Sequence, residues 1–350
     1  MPRAIQSVCA GGIYNFEEVN FRDGVPSIEN IRRAAERIGP YVRRTPVFTS
    51  NAVNEASGAE VFFKCENLQK AGAFKARGAT NAVFSLSDEE ALRGVATQSS
   101  GNHGAALARA AGLRGIPVTV VMPRNALAIK KQAVAGHGAT IVYCEPTSQA
   151  RDEALARVAE STQAVIVHPF DDPRVIAGQG TAALELFGQV DDIDSVIAPV
   201  GGGGLLSGTA LAAKSLQPAA RVFGAEPRNV DDAWQSLKSG RIMPSTGKKS
   251  IADGLLTTLG KLTFRIIRNH VTAIVTVSEE SIVDAMRLVW ERLKLVIEPS
   301  AAVAVAALLA QPDEFQGRRV GIILSGGNVD PDKLPWEGGP SRSVRRRRGA

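Results

Sequence analysis

The chain has 350 residues, 44% of them hydrophobic, which is enough to bury a sizeable core and to divide into two domains or lobes. Its net charge of +6 does not mark a nucleic-acid partner, because Arg342 and the run Arg345 to Arg348 account for all but one unit of it. Cys9, Cys65 and Cys144 are odd in number and far apart, excluding a disulfide framework or zinc site. No secretory signal and no unbroken apolar stretch of about 18 residues is present, so a cytoplasmic chain with no membrane partner is expected.

Taken in chain order, an N-terminal extension over 1–24 precedes the first organised segment. From Val61 onward, short apolar or β-branched runs alternate with longer amphipathic ones. Val61–Phe63, Gly94–Thr97, Val118–Met122, Thr140–Tyr143, Ala164–His168, Ser195–Val200, Arg221–Ala225, Ala273–Val277 and Val320–Leu324 read as buried strands. Between them, Ala105–Leu113, Ala126–Ala135, Ala150–Ser161, Thr181–Phe187, Leu205–Leu216 and Glu280–Leu293 have helical spacing. This alternation predicts an α/β architecture of mostly parallel sheets, with ligands at the carboxyl ends of strands. The expected division is a large domain of residues 25–90 and 173–335, a small domain of 91–172, and a basic, disordered tail of 336–350. A targeting or polyanion-binding role is the alternative for that tail.

Four strands run into glycine-rich or polar loops expected to converge on one cleft: Ser99–Gly104, Gly201–Gly204, Glu226–Asn229 and Ser325–Asn328. The tetraglycine follows a strand and opens a helix, so its N–H groups can turn inward on a small anion at the positive end of the helix dipole. A dinucleotide fingerprint fails at its third glycine, which falls on Leu206 or Ser207, and no nucleotide-triphosphate loop is present. A phosphate cup remains, with a tight turn without ligand as the alternative. Lys75 lies among small and apolar neighbours, where partial burial would lower its pKa and free the amine for Schiff-base chemistry. Most lysines are merely solvated, so this context alone does not single it out.

Together, the runs Gln69 to Gly78, Ser99 to Gly104, Gly201 to Gly204, Ile251 to Gly254 and Ser325 to Asn328 resemble those of the fold-type II pyridoxal-phosphate enzymes. Within that family the likeness is greatest to serine racemase and the catabolic threonine/serine dehydratases, and it runs in order from about Ile31 to Asp330. The resemblance implies a tryptophan synthase beta-like fold with two parallel-sheet lobes, pyridoxal 5'-phosphate in the cleft between them, and a homodimer. It implies that Lys75 carries the cofactor, Phe74 packs against the ring and Asn102 bonds its 3'-oxygen. Gly201, Gly202, Gly203 and Gly204 with the N–H of Leu205 would hold the phosphate, and Ser325 would face the pyridine nitrogen. A serine there leaves that nitrogen mostly unprotonated, a milder electron sink suited to eliminating a β-leaving group.

By the same resemblance, Ser99, Ser100, Gly101, Asn102 and His103 grip the substrate carboxylate, and Ser100 faces Lys75 from the opposite side of the substrate. Two bases on two faces open racemisation beside dehydration. A helix N-cap is the plain reading of these serines, and a structural role that of His103. Glu226 and Asp232, with the carbonyl of Val230, match a site for magnesium or calcium, although acids near a helix start also simply favour its dipole. His137, His168 and His270 lie singly and form no ligand spacing. The likeness departs at Ala73, where many serine-handling relatives carry serine. Alanine there fits relatives resembling 3-hydroxyaspartate dehydratases. The expected activity is conversion of L-threonine, L-serine or a similar β-hydroxy amino acid to a 2-oxo acid and ammonia, with serine racemase or 3-hydroxyaspartate dehydratase as alternatives.

Overall fold

The computed structural model describes residues 24–99, 101–126 and 128–336. Among the described residues, ten strands form two sheets. The larger holds β1 (Val47–Phe48), β2 (Glu60–Lys64), β7 (Ser195–Pro199), β8 (Arg221–Pro227), β9 (Ala273–Val277) and β10 (Arg319–Ile323), in the order β1-β2-β10-β7-β8-β9. The smaller holds β3 (Val95–Gln98), β4 (Val118–Pro123), β5 (Thr140–Cys144) and β6 (Val165–Ile166), in the order β5-β4-β3-β6. Every pairing is parallel except that of β1 with β2. The mostly parallel α/β architecture read from the alternation and the two parallel-sheet regions implied by the resemblance are therefore present.

Parallel strands are buried on both faces, which is why they read as unbroken apolar runs. In the larger sheet Val61, Phe63, Ile197, Val320 and Ile322 pack against the helices Glu279–Leu293 and Pro299–Ala310. Residues of the opposite face, including Phe62, Val196, Ala198 and Ile323, meet the helices Pro173–Phe187 and Gly204–Leu216. The helix Asn102–Arg114 covers one face of the smaller sheet and Ser148–Thr162 the other.

The two regions are joined through the helix Lys75–Phe84, which lies against both Asn102–Arg114 and Pro173–Phe187. Its contact with Pro173–Phe187 is glycine on glycine: a Cβ on Gly178 would stand 2.6 Å from the Cα of Gly78. Beneath it lies a buried charge cluster. Arg77 is fully buried and donates to both oxygens of Glu66 at 2.7 and 2.8 Å and to both of Glu185 at 2.7 and 2.8 Å. Lys64 joins it, 2.6 Å from Glu185 and 2.8 Å from the Thr45 carbonyl.

Three elements differ from the sequence expectation. The run Ala164–His168 pairs as a strand only over Val165–Ile166, after which Thr97 caps the Val167 carbonyl at 2.8 Å and the chain turns away. The helix expected from Thr181 starts at Pro173, where Asp172 accepts the N–H groups of Arg174 and Val175. The Ser99–Gly104 run ends in a helix that begins already at Asn102. The basic tail from 337 and the extension before 24 lie outside the described residues.

Candidate active site

Lys75 opens its helix immediately after Phe74, and that junction is stitched to the end of β10. Ala73 bridges Gly326 in antiparallel fashion, the Phe74 N–H donates to the Ser325 carbonyl at 3.0 Å, and the Gly327 N–H donates to the Gly72 carbonyl at 2.9 Å. The lysine segment and the Ser325–Asn328 loop are therefore one unit, although about 250 residues apart in sequence. The Lys75 ammonium donates to the Pro169 carbonyl at 2.7 Å and lies 5.1 Å from the Phe74 ring centre. Burial with no carboxylate to balance it lowers the pKa of this amine to about 8.

The tetraglycine follows β7 and opens the helix Gly204–Leu216, so N–H groups at its start have no acceptor within the helix. Each glycine is hemmed in on the side a Cβ would occupy. On Gly201 it would stand 2.8 Å from the Leu255 Cα, on Gly202 it would strike the Phe170 ring, and on Gly204 it would stand 3.0 Å from the Phe170 Cβ. Gly203 has φ of 89°, in the left-handed region that disfavours other residues. Neighbouring atoms thus fix the backbone of a strip without side chains at a helix start, where the chemistry of free N–H groups suits a phosphate. Pro169 touches the Lys75 amine and Phe170 packs on the glycines, so two consecutive residues hold both ends of the same cleft.

Asn102 comes to this cleft from the other region. Its Nδ2 donates to both oxygens of Glu298, at 2.9 and 3.2 Å, and its Oδ1 accepts from the Asn328 amide at 2.9 Å. Ser99 lies beside it with its Oγ accepting the Gly101 N–H at 3.3 Å, while Ser100 lies outside the described residues. His103 is buried, with Nε2 at 3.4 Å from the Val167 carbonyl and no partner for Nδ1 among the described residues. Burial, and then the Lys75 charge, push its pKa well below the usual histidine value, so the ring is neutral. His168 accepts the Asp171 N–H at 2.9 Å and turns the Pro169–Phe170 segment. Leu205 and Ser325 are buried at the cup and at the β10 end.

The Glu226–Asn229 loop goes elsewhere. Glu226 accepts the N–H groups of Ala233 and Trp234 at 2.9 and 2.8 Å, and Asn229 contacts the 246–249 segment. Burial, reinforced by Asp232 and Asp231 against the pull of those two N–H groups, raises Glu226 to about 8; burial likewise raises Asp232 to about 6. Asp232 keeps one buried oxygen without a hydrogen-bond partner among the described residues, and Val230 is buried between the two acids. No cluster of three or more His, Cys, Asp or Glu side chains suited to a metal occurs among the described residues.

Sequence reasoning did not find Glu298. It directly precedes Pro299 at a helix start, where an acid usually signals only a favourable dipole. Burial raises its carboxyl to about 7 despite the Asn102 hydrogen bond. Nor does any pattern announce that Lys130, on the helix Ala128–Ala135, makes an ion pair with Asp253 beside the cup.

The profile of the family described as "Pyridoxal-phosphate dependent enzyme" matches residues 38–326. The chain is 54% identical over 312 residues to a protein named beta-hydroxyaspartate dehydratase from Paracoccus denitrificans, covering 89% of this chain and 99% of that one. The solved structure of serine racemase from Dictyostelium discoideum superposes with a TM-score of 0.84 at 50% identity, over 87% of this chain and 99% of that one. The processed form of threonine deaminase isoform 2 from Solanum lycopersicum superposes with a TM-score of 0.82 at 30% identity, over 89% and 88%.

Proposed function

The chain belongs to the pyridoxal-phosphate dependent enzyme family, and from that premise we propose that it is an ammonia-lyase acting on a small β-hydroxy amino acid such as L-serine or L-threonine, which it converts to a 2-oxo acid and ammonia. One observation carries this reading: an amine with a pKa of about 8 and a side-chain-free anion cup both abut the Pro169–Phe170 segment.

In this reading Gly201, Gly202, Gly203 and Gly204, with the N–H of Leu205, hold the cofactor phosphate. Phe74 would lie against the ring, Asn102 would serve its 3'-oxygen and Ser325 its ring nitrogen. Once bound, pyridoxal phosphate supplies an electron sink for negative charge at the substrate Cα. Lys75 is the residue that would hold the cofactor aldehyde, and as a free amine it would be the base for the substrate Cα proton. A pKa of about 8 leaves an appreciable neutral fraction of this amine near neutrality for that task. Ser99, Ser100, Gly101, Asn102 and His103 grip the substrate carboxylate. The neutral state of His103 makes it a hydrogen-bonding partner rather than a second cation.

A second reading of the same site is favoured by two particulars. Ala73, rather than serine, precedes Phe74, and the chain is 54% identical to the beta-hydroxyaspartate dehydratase. Both point to 3-hydroxyaspartate as the hydroxy amino acid. Ser100, if it is the second base that the resemblance implies, would add inversion of serine. We further propose a division into a large domain of 25–90 and 173–335 and a small domain of 91–172, a homodimer in the cytoplasm, and a magnesium or calcium ion on Glu226, Val230 and Asp232. An ion there would relieve the burial penalty on the ionised forms of two buried acids, one of which keeps an oxygen without a hydrogen-bond partner among the described residues.

The experiment is a purified preparation examined for a visible absorption band that disappears on borohydride treatment. It is then offered L- and D-serine, L-threonine and the 3-hydroxyaspartate stereoisomers, with assays for 2-oxo acid and for inversion. A colourless protein that releases no 2-oxo acid from any of them would sink the proposal.

A further inference from the structure

Amide side chains present nitrogen or oxygen to a neighbour depending on their whole hydrogen-bond network. Around Asn102 that network starts from a group with no choice. The Ala71 carbonyl can only accept, so the Asn328 Nδ2 that donates to it at 2.8 Å must be the nitrogen. Its other hydrogen reaches Asn102 at 2.9 Å, which requires the oxygen of Asn102 there. The Asn102 nitrogen is thereby turned to Glu298, where both carboxylate oxygens receive it. An amide nitrogen carries two hydrogens, so one is committed to Glu298 and the second remains for a ligand in the cleft.

The carboxylate is built into its place. The Glu298 N–H donates to the Gly326 carbonyl at 3.0 Å, and a Cβ on Gly326 would stand 2.5 Å from Glu298 Oε1, so only glycine after Ser325 leaves room for the acid. Glu298 is 6% exposed. The groups that face it are Asn102, the Asn328 N–H, Asp253 of the Asp253–Leu255 turn and Lys130 of Ala128–Ala135. The Asp253 charge favours its protonation and the Lys130 charge opposes it.

Resting on the ammonia-lyase reading above, we propose that Glu298 is a positioning residue: its ionised carboxylate fixes the Asn102 amide so that the second amide hydrogen meets the cofactor, and protonation loosens that grip. A neutral acid turns one oxygen into a donor that confronts the Asn102 N–H, removing half of the bifurcated contact. Its midpoint is about 7. Glu298 acts through Asn102.

The test compares the native holoenzyme with Glu298→Gln, which keeps one accepting oxygen but cannot ionise. With a midpoint near 7, native kcat and pyridoxal phosphate affinity should each fall about ten-fold more between pH 8 and pH 6 than those of the variant. Parallel pH profiles overturn the proposal. A second measurement uses cofactor-free protein and follows glutamate side-chain carbonyl resonances. The one titrating near 7 should vanish in Glu298→Gln and move to higher pH in Asn102→Ala, which removes the hydrogen bond favouring the ion; an unmoved resonance in Asn102→Ala overturns the proposal as well. Cofactor-loaded protein with no turnover on any hydroxy amino acid defeats the ammonia-lyase reading, while affinity and resonance still judge Glu298. Protein that binds no pyridoxal phosphate defeats both.

Discussion

Lys75 and Glu226 show one physical cause acting on opposite charges. Burial removes water from both, so the amine loses its proton more readily and the carboxyl keeps it longer. Replacing Lys75 by alanine should abolish the borohydride-sensitive band and lower turnover by about a thousand-fold or more, as measured by 2-oxo acid release; an active, coloured variant would remove the lysine from the mechanism. Glu226 makes a stability prediction. Its folded pKa of about 8 lies above the ordinary carboxyl value of 4.5, so the folded state binds the proton more tightly. That stabilisation is complete below about pH 4.5 and is lost as the pH rises through about 8. Chelator-treated Glu226→Gln should therefore gain roughly 3 kcal/mol on the native protein between pH 5 and pH 8, read from thermal or urea midpoints. An equal difference at both pH values would refute this. Added magnesium should shrink the gain if the ion favours the ionised acid.

At the scale of elements, legibility followed burial pattern. β4 was plain because a parallel strand buried on both faces leaves a solid apolar run, Val118 to Met122. The helix Lys75–Phe84 was hidden because its buried face carries Arg77, Gly78, Thr80 and Asn81, which satisfy contacts rather than repeat hydrophobicity. The helix Pro299–Ala310 is apolar all round and offers no periodicity to read. At the site, four consecutive glycines marked a side-chain-free strip at a helix start, which the structure places beside Phe170 and Leu255. Glu298 meets Asn102 across 196 residues, a separation at which one sequence carries no signal. The Arg77 cluster ties β2, this helix and Pro173–Phe187 together and so sets the first turn from which Lys75 projects. Removing one member strands the others without water. Arg77→Met should cost about 3–5 kcal/mol in urea unfolding, and a loss under about 1 kcal/mol would show that the cluster relaxes freely.

Over the whole molecule, the cup belongs to the larger sheet and Asn102 to the helix covering the smaller one, so any ligand held by both links the two regions. Adding pyridoxal phosphate at 100 times its dissociation constant should stabilise the protein by about 2.7 kcal/mol, seen as a concentration-dependent rise in the unfolding midpoint. A flat midpoint would mean that the cleft does not take it. The Lys130–Asp253 pair also spans the regions, but both side chains are partly exposed and such pairs contribute about 1 kcal/mol at most.

The place of β10 between β2 and β7 carries a consequence for biosynthesis. Arg319 lies in register with Glu60, so the edge of β2 that β10 will occupy leaves the ribosome about 260 residues before its partner. Throughout that interval the N–H and C=O groups of β2, beside Val61 and Phe63, face outward as a template for any passing strand.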